Sequence, residues 1–136
     1  MILVDEDTSA FNAIISAFGL PKKSKEEQKA RQVAIELATI QAIEVPFEVM
    51  TTAYAGYEVA EPMATIGNPN SISDAGVGAL ALHACIEGAW LNVKINSAEQ
   101  KSHPRVIQIL ESGKKLLKES VVKKDHILGI ADSKIG

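Results

Sequence analysis

The sequence predicts an all-α protein, and three observations support that prediction. Apolar residues recur at helical spacing along the chain, and no stretch alternates convincingly between apolar and polar residues as a strand would. Aromatic residues make up only 4%, in a chain rich in Ala, Ile, Val and Leu. The length of 136 residues suits a single domain, residues 1–136, and the pattern indicates a bundle of about five helical segments.

The first helix is predicted from four residues at steps of four, three and four. Asp7, Phe11, Ile14 and Phe18 therefore share one helix face, and we expect that face to point toward the core. The helix should end at Gly19, because glycine is a favourable C-cap and the proline two residues later cannot continue the helix.

The second helix should begin at Ser24, since Ser24 and Glu27 have the spacing of a capping box. Pro46 interrupts the apolar stripe that follows. It either kinks one long helix or starts a new helix at its first turn. The stripe comprises Ala30, Val33, Ala34, Leu37 and Ala38.

The next helix is predicted to follow the turn formed by residues 67–71, with Ser71 and Asp74 as its capping box. Small residues recur on one face of this helix, at Ala81, Ala84 and Gly88. Because small side chains allow another backbone to approach closely, we expect this helix to be central and to favour a dimer.

Pro104 suits the first turn of a last helix. The apolar stripe of that helix contains Val106, Leu110, Leu117, Val121 and Leu128.

Composition argues against several classes of protein. A net charge of −3 is unsuited to a nucleic-acid binder. His83 and Glu87 lie within the most apolar window, so we expect a buried helix and no membrane partner. Cys85 is the single cysteine, which suits a cytoplasmic location, and no Cys/His spacing indicates a metal site or a cofactor.

Asp7 is the first candidate for chemistry. A carboxylate held against apolar neighbours can serve as a general acid or base. The alternative is that Asp5, Glu6 and Asp7 only favour a helix N-terminus through its dipole.

Two further groups of polar residues could contact a ligand. Asn68, Asn70 and Asp74 belong to the turn and the helix start, where they either hold a polar ligand or form an ordinary turn and cap. Asn92 and Asn96 lie one turn apart on the face that carries the small residues, where they either bind a ligand or join two helices by hydrogen bonds.

The order of these motifs resembles one family. The stretch from Leu3 to Phe11 resembles its L-x-D-x-D-x-x-A-F/Y motif. Further similar stretches are Phe18-Gly19-Leu20-Pro21-Lys22, Glu26-Glu27 with Lys29 and Arg31, Val45-Pro46, Gly67-Asn68-Pro69-Asn70, residues 73–78 and residues 91–96. The family is the formiminotransferase-cyclodeaminase C-terminal type, which comprises formimidoyltetrahydrofolate cyclodeaminase and methenyltetrahydrofolate cyclohydrolase.

This resemblance implies a helical homodimer that acts on a tetrahydrofolate derivative, without a metal or cofactor. The implied activity is that of a lyase of one-carbon metabolism and histidine degradation, which closes 5-formimidoyltetrahydrofolate to 5,10-methenyltetrahydrofolate and releases ammonia. The cyclohydrolase is the alternative enzyme, and a formiminotransferase is an implied partner. The family assigns catalysis to the second Asp of its D-x-D motif, which matches Asp7. We place Asn68, Asn70, Asp74, Asn92 and Asn96 around the substrate.

The family also has an N-terminal part with a Gly-Gly-Gly-Ser run, whereas this sequence starts almost on the D-x-D motif. A truncated gene, a short relative and a chain completed by a partner are three explanations. The short relative would be a non-catalytic assembly module that keeps the fold without the site.

Overall fold

The computed structural model describes residues 2–136, and this part of the chain forms five α-helices without a strand. They are α1 (Ile2–Phe18), α2 (Lys25–Ala55), α3 (Tyr57–Ile66), α4 (Pro69–Asn96) and α5 (Pro104–Ile135). α4 is central because it packs against α2, α3 and α5, whereas within residues 2–136 α1 packs against α2 alone. The predicted all-α fold with about five helical segments is confirmed.

The connection from α1 to α2 follows the predicted signals. Gly19 donates its backbone N–H to the carbonyl of Ile15, and the capping box at the start of α2 is present. The Ser24 hydroxyl accepts from the Glu27 amide at 3.1 Å, while the Glu27 carboxylate accepts from the Ser24 amide at 3.1 Å. Arg31 closes the hairpin, because its guanidinium donates to the Phe18 carbonyl at 3.1 and 3.3 Å.

The predicted burial of one α1 face is wrong. Phe11 is 62% exposed and Phe18 is 55% exposed, and Asp7 is exposed as well. α1 instead meets α2 through small side chains, with Ala10 and Ala17 buried. The Asp7 face points at the space between α1 and α4, which no described residue fills, because periodicity defines a face but not the element that covers it.

α2 continues through Pro46, so of the two alternatives at this proline the structure has one long helix and no new helix start. Its central part supplies much of the core, with Ile43 and Met50 fully buried. Gly56 alone separates α2 from α3.

α4 begins three residues earlier than predicted. Its N-cap is Asn68, whose side-chain oxygen accepts from the amides of Asn70 at 3.0 Å and Ser71 at 3.1 Å. The predicted capping box of Ser71 and Asp74 is therefore wrong, and both residues lie inside the helix. Pro69 explains the earlier start, since its fixed φ and missing N–H suit the first turn.

By length and composition α4 could also cross a membrane. It nevertheless contacts α2, α3 and α5 together, as the core helix of a bundle does.

α5 begins at Pro104 as predicted, with the His103 imidazole as its N-cap. Val106 and Ile109 are fully buried, but Val121, from the predicted stripe, is exposed. Gly113 is buried against the Trp90 ring, which needs the space that a larger residue would occupy.

Candidate functional site

Asp7, Asn92 and Asn96 line one cavity between α1, α2 and α4. Its volume is about 260 Å³, and α2 contributes Ala42 to its wall. The remaining wall comes from α1, through Ala10, Phe11 and Ile14. The cavity combines an exposed carboxylate with two side-chain amides, so it offers hydrogen-bond acceptors and donors to one ligand.

α1 brings Asp7 to this cavity by the same periodicity that the sequence shows. Residues 7, 11 and 14 line the cavity from one side of α1, one turn apart. Asn92 and Asn96 lie one turn apart on α4 and face them. The sequence therefore grouped these residues of α1 on one face and the two asparagines of α4 on another, although it assigned the α1 face to the core.

The Asn96 side chain is held in place by α2. Its Nδ2 donates to the backbone carbonyl of Ala42 at 2.8 Å, which joins the end of α4 to the middle of α2. For Asn96, this contact agrees with the helix-to-helix alternative considered above. Asn92 is exposed and lines the cavity, and its side chain makes no hydrogen bond to another described residue.

The cavity continues along α4 into two larger ones. The next, of about 350 Å³, is also lined by Asp7 and Asn92 and has Pro46 in its floor. It shares Leu3, Val49 and Cys85 with an apolar groove of about 660 Å³ between α2, α3 and α4. The polar residues therefore lie at one end of a row of three adjoining cavities, the largest of which is lined mainly by apolar side chains.

The structure does not bring Asn68, Asn70 and Asp74 to the same place as Asp7. Asn68 caps α4, and Asn70 is exposed in the first turn, where its carbonyl accepts from Ser73. Asp74 lines the far part of the apolar groove. Eighteen residues separate Asp74 from Asn92 on α4, about 27 Å at the usual helical rise. A ligand role for these three residues stays a prediction, at a distance from Asp7.

A second polar cluster lies between α3, α4 and α5. The Tyr57 hydroxyl is 2.8 Å from the Ser120 Oγ, which is 2.9 Å from the His83 Nδ1. His83 Nε2 is 3.6 Å from the Glu87 carboxylate. The order Ser-His-Glu resembles a nucleophilic triad, but Ser120 has no exposed surface, so a substrate cannot reach it. Burial raises the pKa of Tyr57, against the opposite effect of its hydrogen bond to Ser120. The cluster is therefore a buried tie between helices.

An ion pair fastens α3 to α5 near this cluster. The Lys123 ammonium donates to the Glu61 carboxylate at 2.6 Å, and His126 lies 3.3 Å from the other oxygen of Glu61. The hydrogen bond from Lys123 lowers the pKa of Glu61, and the same bond raises the pKa of Lys123. These charges lie on the helices that do not line the Asp7 cavity, so they serve the fold.

Sequence reasoning did not identify Ala42 or Pro46 as parts of the site. A signal for them was present, since a proline inside a helix leaves the carbonyl four residues earlier without its usual donor. Tyr57 and Ser120 carried no comparable signal, because their partners lie on other helices. Among residues 2–136 no three His, Cys, Asp or Glu side chains come together to hold a metal ion.

The chain is thus a helical bundle in which one carboxylate and two side-chain amides line a single cavity. Residues 1–114 match the family described as formiminotransferase-cyclodeaminase. The chain therefore belongs to the formiminotransferase-cyclodeaminase family, and the resemblance found in its motifs is confirmed.

Similar proteins include two kinds of enzyme. Over 133 residues the chain is 33% identical to a methenyltetrahydrofolate cyclohydrolase of Methylorubrum extorquens, covering 98% of this chain and 64% of that protein. It is 34% identical over 119 residues to the formimidoyltransferase-cyclodeaminase of Mus musculus, covering 82% of this chain and 22% of that protein. The Dictyostelium discoideum formimidoyltransferase-cyclodeaminase is 33% identical over 128 residues, with 94% and 23% covered. The chain thus spans less than two thirds of the length of these relatives.

Proposed function

We propose that this chain takes part in folate one-carbon chemistry as a cyclodeaminase, with Asp7 as its general acid and base. One observation supports the proposal above all. Asp7, which matches the catalytic position of the family motif, lines the same cavity as Asn92 and Asn96. Two helices far apart in the sequence thus bring a proton carrier and two amides to the wall of one cavity.

The proposed reaction needs one proton carrier. In protonated 5-formimidoyltetrahydrofolate, N10 attacks the formimidoyl carbon, a C–N bond forms, and Asp7 accepts the N10 proton. The adduct then carries an amino group on that carbon. Asp7 returns its proton to this nitrogen, the C–N bond to it breaks, and ammonia leaves. The methenyl bridge that remains is cationic, so the restored Asp7 carboxylate stabilises it.

The amides of Asn92 and Asn96 suit the ligand on chemical grounds. The pterin ring presents adjacent donor and acceptor edges, and a side-chain amide can pair with either. We expect Asn92→Ala to weaken folate binding by about 1–3 kcal/mol with little loss of stability. Asp74→Ala is the comparison, measured for the same two quantities. If Asn92→Ala lowers stability and leaves the affinity unchanged, Asn92 is structural.

A second candidate is the cyclohydrolase, which the similarity to the Methylorubrum extorquens enzyme favours. In that reaction Asp7 would accept a proton from water as the water attacks the methenyl carbon. The same cavity and the same carboxylate would serve both reactions, so an assay with each substrate is needed to distinguish the two activities.

The test follows the absorbance of the methenyl compound with each substrate in turn. A cyclodeaminase forms it from 5-formimidoyltetrahydrofolate, and a cyclohydrolase consumes it. We expect Asp7→Asn to lower kcat by at least about 100-fold. Asp5→Asn is the matched control, because Asp5 does not line the cavity, and it should retain the activity. Folded protein that converts neither substrate would overturn the enzymatic proposal.

The rival to both enzymes is an assembly module that keeps the fold without catalysis. Calorimetry with tetrahydrofolate separates it from an enzyme. Saturable binding that Asp7→Asn abolishes supports a working site, and the absence of binding at millimolar ligand supports the module.

We also propose a homodimer, with a formimidoyltransferase as a further partner. Ala81, Ala84 and Gly88 form an exposed stripe on α4, and the bulky apolar residues Phe11 and Phe18 of α1 are exposed too. Large exposed apolar patches are uncommon on monomers. Light scattering at micromolar concentration should therefore give at least a dimer, and a strict monomer contradicts this proposal.

A further inference from the structure

Pro46 leaves one backbone carbonyl of α2 without its helical donor. In a regular helix the amide of residue 46 donates to the carbonyl of residue 42, but proline has no N–H. Pro46 lies in the interior of α2 and is buried, so the Ala42 carbonyl must find another donor or lose a hydrogen bond. A proline in the interior of a helix lowers the stability of that helix, so helix propensity does not explain its presence here.

The donor that replaces it is the Asn96 side chain, at 2.8 Å from the Ala42 oxygen. Ala42 and Asn96 both line the Asp7 cavity, and Pro46 lies in the floor of the adjoining one. The carbonyl that lacks a helical donor because of Pro46 is thus the one that accepts from Asn96, and Asn96 and Asp7 line the same cavity.

We propose that Pro46 is a positioning residue for the Asp7 cavity and that it acts through Asn96. The free carbonyl fixes the position of the Asn96 amide in the wall of the Asp7 cavity. Replacing Pro46 by alanine supplies an N–H at residue 46, which competes with Asn96 for the Ala42 carbonyl and weakens the hold on the Asn96 amide. This inference rests on the proposed function only where turnover is measured.

Pro62 provides a matched control. It also lies inside a helix, α3, and it likewise removes the donor to the carbonyl four residues earlier, that of Glu58. Both residues are exposed, and neither lines the Asp7 cavity. Pro62→Ala therefore restores a helical N–H without touching the site.

The first experiment needs no substrate. Side-chain amide NMR with ¹⁵N-labelled asparagine follows the Asn96 NH₂ group, while thermal unfolding follows stability. In Pro46→Ala we expect the Asn96 amide hydrogens to shift and to exchange faster with solvent, although the midpoint of unfolding stays equal or rises. In Pro62→Ala the Asn96 signals should remain as in the wild type. An Asn96 signal that Pro46→Ala leaves unchanged would overturn the inference.

The second experiment measures turnover of the folate substrates. Pro46→Ala and Asn96→Ala should each lower kcat/KM by about tenfold, as expected for the loss of one positioning hydrogen bond. The double variant should be no worse than either single variant, because both remove the same contact. Additive losses, or full activity in Pro46→Ala, contradict the inference. If the wild type converts no substrate, the proposed function fails, and the NMR result still decides whether Pro46 positions Asn96.

Discussion

Gly113 of α5 gives the sharpest test of the packing, because the structure shows what a methyl group would meet there. A Cβ at residue 113 would lie 2.6 Å from Cζ3 and 2.9 Å from Cε3 of Trp90. The Trp90 ring is buried in the main core, and moving it toward solvent would cost its packing contacts with that core. Gly113→Ala should therefore force the ring or α5 to move.

The expected size follows from two opposing effects. Overpacking a core by one carbon costs about 1–3 kcal/mol. Alanine instead favours a helix over glycine by about 1 kcal/mol. Gly129→Ala measures the helix-propensity effect alone, because Gly129 lies on the same helix and a Cβ there meets no atom within 4 Å. Gly129→Ala should raise stability, and Gly113→Ala should fall about 1–3 kcal/mol below it, the overpacking cost alone.

Urea unfolding followed by circular dichroism measures both variants. A second background, Trp90→Phe, removes the ring atoms that the new methyl group would contact. In that background Gly113→Ala should lose most of its penalty, since the two residues are coupled. Equal stability of Gly113→Ala and Gly129→Ala would refute the packing argument.

Three further predictions concern hydrogen bonds and charge. Tyr57→Phe should cost about 1 kcal/mol of stability in equilibrium unfolding, and Ser120→Ala should cost more because it leaves two partners behind. The hydrogen bond from Lys123 lowers the pKa of Glu61 below its ordinary 4.5, so this pair adds stability above that pH and loses it as the pH falls through the lower folded value. Unfolding measured across the acid range should show a shallower decline for Glu61→Gln, and an unchanged profile would contradict the pair's role. Ser24→Ala removes the α2 cap and should lower stability by about 1 kcal/mol, readable from the urea midpoint.

Local signals predicted the helices well. The capping box at Ser24, the stop at Gly19 and the start at Pro104 all depend on residues within one turn, and the structure has each of them. The predicted start of α4 was wrong because the sequence contains two overlapping capping signals. The structure uses Asn68 and Pro69, and it does not use Ser71 and Asp74. Where competing caps lie three residues apart, sequence alone does not rank them.

The candidate site was predicted in part. Periodicity placed Asp7 on one face and the two asparagines on another, and these faces meet across the cavity. Periodicity does not state which element covers a face, so the burial of Phe11 and Phe18 was predicted wrongly. The link from Pro46 to Asn96 spans fifty residues, and only the packing of α4 on α2 reveals it.

The attachment of α1 has a consequence for the energetics of the site. Among residues 2–136, α1 packs against α2 alone, and its buried residues are Ala10 and Ala17. We therefore expect α1 to detach at a lower free energy than global unfolding, at the cost of the Arg31 hydrogen bonds to Phe18. Amide hydrogen exchange would then report a separate, faster opening for residues 2–18 than for α4. Because Asp7 lies on α1, only molecules in which α1 is packed on α2 bind the ligand. The apparent affinity is then the intrinsic affinity multiplied by the fraction of such molecules. A ligand that bridges Asp7 and Asn92 would in turn stabilise the packed position of α1 and slow the amide hydrogen exchange of residues 2–18.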